Sequence, residues 1–112
     1  MQRRGIESKK MQTRTMKLRI GKTSYVVEKL SELKPTFMVG YISPQQKSIK
    51  VAVRHNGRAR SEKKIHHTLW HEIVHGMLWE AGSNKWHDEV LVNKLAKYIQ
   101  QVNKQLQATL ES

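Results

Sequence analysis

The residues His71, Glu72 and His75 form an HExxH pattern within a strongly helical stretch. Residues four apart lie one turn above each other on the same face of an α-helix, so both imidazoles can reach one ion. Zinc at a catalytic site takes three protein ligands and one water molecule. The pattern therefore predicts a Zn²⁺ site at which Glu72 acts as the general base and takes a proton from that water.

The helix predicted to carry this pattern covers residues 61–81 and has no internal proline. Its apolar residues recur at helical spacing and predict a buried face: Ile65, Leu69, Ile73 and Met77, widened by Trp70, Val74 and Leu78. Ser61 is a suitable N-cap, and Gly82 can adopt the left-handed backbone conformation that often ends a helix. Histidines on a mostly buried helix need a partner, which a metal ion provides. The alternative is a helix with two solvated histidines and an acid.

A third ligand is expected from the segment that follows this helix, where a second helical run begins. Its apolar residues are Leu91, Val92, Leu95, Tyr98, Ile99, Val102 and Leu106. Glu89 borders this apolar face and could supply a carboxylate, while His87 offers an imidazole, the better zinc donor on general grounds. If the two apolar faces pack together, Glu89 comes near His75, and its charge would offset that of the ion. Either residue could instead be a solvated group in a first helical turn.

The hydrogen-bonding partners of the metal ligands can also be anticipated. A metal-bound histidine usually donates its other N–H to a carboxylate or a carbonyl. Glu80 and Asp88 are the candidates for this role.

Residues 68–98 resemble the zincin metallopeptidases, and more narrowly the small phage- and prophage-associated zinc metallopeptidase domains. In those domains HExxH and a short glycine-containing turn precede an ExxVxxLA pattern, which here begins at Glu89 and ends at Ala96. The resemblance implies the gluzincin arrangement, with His71, His75 and Glu89 as zinc ligands and Glu72 as the base. It covers about a quarter to a third of the chain.

A second, weaker resemblance is to the SprT-like proteases, and it would make His87 the third ligand. Those proteases have a His-Gly pair at this point, whereas Asp88 follows His87 here. The chain departs from the metzincins, because Leu78 stands where they have a glycine three residues after the second histidine.

The segment before the HExxH helix predicts strands. Leu18 and Ile20 alternate with charges ahead of a turn at Gly21, and residues 37–53 form a candidate hairpin with a turn at residues 43–46. Strands followed by two helices predict an α+β fold, in which a small antiparallel sheet packs on the active-site helix as in a minimal zincin. The strand of residues 49–54 is expected at the sheet edge, where an extended substrate could pair with it.

The net charge of +12 in 112 residues is concentrated in two clusters, residues 1–22 and residues 54–64. Such clusters bind polyanions through counterion release, so non-specific nucleic-acid contact through the N-terminal tail and the basic loop is an alternative to a peptide or protein substrate. The corresponding alternative function is a basic binding module with a non-catalytic zincin-like core. The sequence has no cysteine, which excludes disulfides and thiolate metal sites.

The ends of the chain give the remaining expectations. Residues 1–15 lack apolar periodicity and predict a disordered basic tail, followed by a single domain over residues 16–112. The N-terminus has no signal-peptide core, and no apolar run is long enough to span a bilayer. These features predict a cytoplasmic protein with no membrane partner, and the resemblance adds a phage or prophage origin.

Overall fold

A computed structural model describes residues 14–111 and contains six strands and two helices. The strands are β1 (Arg14–Ile20), β2 (Thr23–Leu30), β3 (Gly40–Ser43), β4 (Ser48–Ala52), β5 (Arg54–His55) and β6 (Arg58–Ala59); the helices are α1 (Glu62–Glu80) and α2 (Glu89–Glu111). The predicted α+β class, with strands preceding two helices, is confirmed. The predicted tail lies outside the described residues, except that Arg14 and Thr15 belong to β1.

The main sheet has four strands in the order β1-β2-β4-β3 and is mixed. The β1–β2 and β3–β4 pairs are antiparallel hairpins, whereas β2 and β4 run parallel, with Val26 opposite Ser48. The expectation of a purely antiparallel sheet was wrong at this one pairing. After β2 the chain first forms the outer strand β3 and then folds back, so β4 enters the sheet in the direction of β2. The predicted hairpin is present, with its turn at residues 44–47.

The edge strand that packs on α1 at the site is β3, and the prediction that residues 49–54 form the edge was wrong. β4 lies between β2 and β3, and its residues Ile49, Val51 and Ala52 are completely buried. An alternating apolar strand has the same appearance in sequence whether one side or both sides are paired, because pairing uses only the backbone.

The first core cluster lies between the sheet and α1. Its buried members are Ile20, Tyr25, Val27, Ile49 and Ile73. Burial of each such side chain stabilises the fold by about 1.5–3 kcal/mol. Gly76 allows α1 to approach the sheet closely, because an added Cβ would lie 3.0 Å from Ile20 Cδ1 and 3.1 Å from Ile42 Cδ1.

The second core cluster joins α1 to α2. Val74 of α1 packs with Val92 and Ala96 of α2, and the partly buried Trp70, Leu78, Leu95 and Ile99 surround them. The expected packing of the two apolar helix faces is present only in part, because α2 packs on Trp70, Val74 and Leu78 rather than on Ile73 and Met77. Ile73 belongs to the cluster on the sheet side, while Met77 and Tyr98 are 39% and 56% exposed. The apolar surface of α1 is divided in this way because the helix lies between two partners.

The ends of the helices are fixed by local hydrogen bonds. The Lys64 amide donates to Ser61 Oγ at 3.2 Å, as predicted for an N-cap. Gly82 has a φ of 77°, and its amide donates to the Trp79 carbonyl, as expected for a glycine stop. Asp88 accepts from the Leu91 amide and so caps α2. Neither helix in residues 14–111 is both long and apolar enough to cross a membrane.

Candidate metal centre

Three side chains from two helices meet at one point beside the edge strand. His71 and His75 lie one turn apart on α1, with their Nε2 atoms 3.2 Å apart. Glu89, in the first turn of α2, places Oε1 2.8 Å from His71 Nε2 and Oε2 3.3 Å from His75 Nε2. One ligand atom from each of the three residues lies within 4.8 Å of the others, so the group could hold a metal ion.

The hydrogen bonds on the other ring nitrogens fix the orientation of both histidines. His75 Nδ1 lies 2.6 Å from the carbonyl oxygen of Trp86. A carbonyl oxygen can only accept, so Nδ1 of His75 carries the hydrogen, and the neutral ring has its lone pair on Nε2. His71 Nδ1 lies 2.9 Å from the Asn93 side-chain oxygen and is arranged in the same way.

The resulting site is a set of electron-pair donors facing one another. Two Nε2 lone pairs and a carboxylate converge within hydrogen-bonding distance, and in the neutral tautomers no hydrogen lies between them. A bound cation or protonation of an imidazole satisfies such a set. Two imidazoles and one carboxylate, without a thiolate, are a donor set typical of catalytic zinc, so the residues fit this ion.

The competing ligand His87 is not part of this cluster. Its side chain is exposed, and its ring stands edge-on to Trp86 with the ring centroids 5.5 Å apart. Of the two alternatives, Glu89 is the residue that lies at the imidazoles, while His87 only borders the surrounding cavity.

Glu72 lies beside the cluster and is buried, with 8% of its surface exposed. Burial raises the pKa of its carboxyl to about 8, and the negative charge of Glu89 contributes to the same shift. A cation at His71, His75 and Glu89 would oppose this shift by favouring the charged carboxylate.

The predicted carboxylate partners of the histidines, Glu80 and Asp88, have other roles. Glu80 accepts hydrogen bonds from Thr23 Oγ1 and Tyr25 Oη, each at 2.7 Å, and so ties α1 to β2. Asp88 caps α2, as described above. The actual partners are the side-chain amide of Asn93 for His71 and the backbone carbonyl of Trp86 for His75. No sequence pattern predicted either of them.

A cavity of about 530 Å³ opens over the cluster. One wall is the segment 39–42, which includes most of β3; the other walls are α1, residues 86–87 of the connecting loop and the N-terminal part of α2. His67 also lines the cavity, and its Nδ1 lies 3.1 Å from the amide nitrogen of Gln100. Burial lowers the pKa of His67, with smaller contributions from His71 and Lys97.

Comparison of the chain with models of protein families, with characterised proteins and with solved structures gave no significant match. The interpretation of the site therefore depends on its own geometry.

Proposed function

We propose that the protein is a zinc-dependent metallopeptidase that hydrolyses peptide bonds. The observation that carries the proposal is the convergence of two oriented imidazole lone pairs and a carboxylate beside the buried acid Glu72. His71, His75 and Glu89 would hold the ion. When bound, zinc supplies a Lewis acid that polarises a carbonyl and lowers the pKa of water.

Glu72 is the proton carrier in this proposal. Its carboxyl borders the cavity and has no hydrogen-bond partner among the described residues, so it is available to a water or a substrate. An ionised Glu72 accepts a proton from the attacking water and passes it to the leaving amine. Burial raises the pKa of Glu72 and so makes its carboxylate a stronger base for the first transfer, while a cation at the neighbouring ligands would keep that carboxyl ionised.

The edge strand supports a peptide as the substrate. Within residues 14–111 β3 pairs only with β4, so its other side offers main-chain donors and acceptors next to the cavity. An extended peptide can add to such an edge as a further strand. Gly40 at the start of β3 lies against Glu72, so a peptide paired there would pass close to the proton carrier.

The test is hydrolysis of a denatured protein by the zinc-loaded wild type and by Glu72→Gln. We expect the variant to keep one zinc per chain and to lose at least about 100-fold in rate, the usual contribution of a general base. Glu62→Gln, which changes an exposed acid in the first turn of α1, is the matched control and should keep its activity. If Glu72→Gln hydrolyses the substrate at the wild-type rate, or if the zinc-loaded wild type hydrolyses no protein or peptide, the proposal is wrong.

A further inference from the structure

A second groove adjoins the catalytic cavity, between the N-terminal half of α1 and the middle of α2. Its volume is about 980 Å³. Four cationic side chains line it, namely Arg60, Lys63, Lys64 and Lys97, and no carboxylate does. The groove is therefore strongly positive.

The positive charge of this groove is not neutralised within the described residues. The ion pairs in residues 14–111 all involve Glu89 with the two histidines, so no lysine or arginine there is paired with a carboxylate. Arg60 donates to the Ala52 carbonyl at 2.8 Å and to Thr68 Oγ1 at 2.6 Å, and both acceptors are uncharged. These bonds hold the guanidinium at the groove without cancelling its charge.

The groove and the catalytic cavity share a wall. His67, Thr68 and Asn93 line both, and Asn93 also accepts the hydrogen bond from His71. The groove is thus continuous with the space above His71 and Glu72. One polymer chain can occupy both.

We propose that this groove binds acidic side chains of the peptide substrate and gives the enzyme a preference for acidic sequences near the scissile bond. The inference rests on the proposed peptidase function. Four unpaired cations attract a segment rich in Asp or Glu and disfavour one rich in Lys or Arg. A peptide fits better than a nucleic acid, because the cavity that adjoins this groove is lined by β3, whose outer side is unpaired among the described residues and can hydrogen-bond an extended peptide backbone.

The first experiment measures binding without turnover. Zinc-loaded Glu72→Gln is titrated into two fluorescent peptides that share a neutral core. One peptide carries a flank of three glutamates and the other a flank of three glutamines. Each pair is made twice, once with the flank before the core and once with the flank after it. We expect the glutamate peptide to bind at least about tenfold more tightly, the combined effect of several exposed ion pairs. Equal affinities for the two peptides would overturn the proposal.

The second experiment assigns the preference to the groove. The groove variant changes three lysines to glutamine, namely Lys63, Lys64 and Lys97. The matched control makes the same change at Lys17, Lys22 and Lys29, which are exposed on the β1–β2 hairpin. Both triple variants lose the same charge, and thermal melting checks that both remain folded. The groove variant should lose the preference for glutamate, while the control retains it. An equal loss in both variants would show a general charge effect and overturn the assignment.

Kinetics on the active enzyme complete the test. In the groove variant, KM for the acidic peptide should rise about tenfold with kcat little changed, because the groove acts on binding and not on the reacting bond.

A short duplex DNA serves as competitor. If the DNA displaces the acidic peptide and binds through the same three lysines more tightly, the groove is a nucleic-acid surface and the proposal is wrong. If the wild type binds the acidic peptide in the groove but cleaves no peptide, the peptidase function fails while the binding site stands.

Discussion

Gly40 of β3 lies against the carboxylate of Glu72. A Cβ added at Gly40 would be 2.6 Å from Glu72 Oε2 and 2.5 Å from Thr68 Cγ2, both closer than real Cβ contacts. The edge strand and α1 therefore touch at the residue proposed to carry the proton. The absence of a side chain at position 40 is what allows this contact.

Gly40→Ala should impair catalysis more than stability. The new methyl group must displace Glu72 or Thr68, and such overpacking costs about 1–3 kcal/mol. We expect a fall in kcat with zinc stoichiometry unchanged, because the atoms nearest to the added Cβ belong to Glu72 and Thr68 and to neither histidine. Melting curves, zinc analysis and kcat are measured on the same preparation.

The control for this prediction is a second change at Thr68. Thr68→Ser removes Cγ2 and keeps the hydroxyl that accepts from Arg60. In the double variant with Gly40→Ala we expect part of the stability to return but not the activity, because the contact with Glu72 remains. A double variant with full activity would contradict the proposed role of the Gly40–Glu72 contact.

The third ligand can be identified by comparing Glu89→Ala with His87→Ala. Glu89 reaches both imidazoles, whereas His87 is exposed and outside the cluster. Zinc affinity should collapse in the Glu89 variant and stay near the wild-type value in the His87 variant, as measured with a competing chelator. The opposite result would favour the SprT-like arrangement.

Asn93 is expected to support the metal site without binding the ion. Its side-chain oxygen accepts from His71 Nδ1 and so keeps the lone pair of Nε2 directed at the cluster. Loss of such a partner typically costs about 10–100-fold in metal affinity. Asn93→Ala should show a loss of about this size, while Asn103→Ala, at an exposed position further along α2, should show none. Equal affinities in the two variants would argue against the role of Asn93.

The link between Glu80 and β2 gives a prediction for pH. Hydrogen bonds from Tyr25 and Thr23 lower the pKa of Glu80 below its ordinary value of 4.5. A carboxyl with a lowered pKa in the folded state contributes stability above its unfolded pKa and loses it as the pH falls through the folded value. Wild type should therefore exceed Glu80→Gln in unfolding free energy at pH 7, and the gap should close in acid below the ordinary pKa.

Tyr25→Phe is the control for the Glu80 prediction, because it removes one of the two donors. In the Tyr25→Phe background, the loss of unfolding free energy caused by Glu80→Gln should be smaller at pH 7, as measured by urea unfolding. A loss that does not change with pH would show that the charge of Glu80 contributes nothing to stability.

The sequence predicted those parts of the site that depend on local chemistry. The HExxH spacing, the Ser61 cap and the Gly82 stop each follow from residues within one or two helical turns, and the structure has both ends of α1 as expected. The position of Glu89 was predicted only as one of two alternatives, because the short turn between the helices could bring either Glu89 or His87 near the imidazoles; the structure has Glu89 there.

The remaining features depend on contacts between distant segments. Gly40 and Glu72 are far apart in the chain, and nothing in the sequence near either one indicates the other. The partner of His75 is the backbone carbonyl of Trp86, a group that every residue carries. Likewise the alternation of apolar residues in β4 is the same for an edge strand and for a central strand, so the central position of β4 could not be predicted.

The attachment of α2 has a consequence for the local opening of the fold. Only Val92 and Ala96 of this helix are buried, and residues 101–111 are all exposed. Such a helix opens with a small free energy, and its amide hydrogens should exchange with solvent sooner than those of α1. Zinc held between α1 and Glu89 would oppose that opening, so saturation with the ion should slow amide exchange around Val92 and Ala96 far more than within β1.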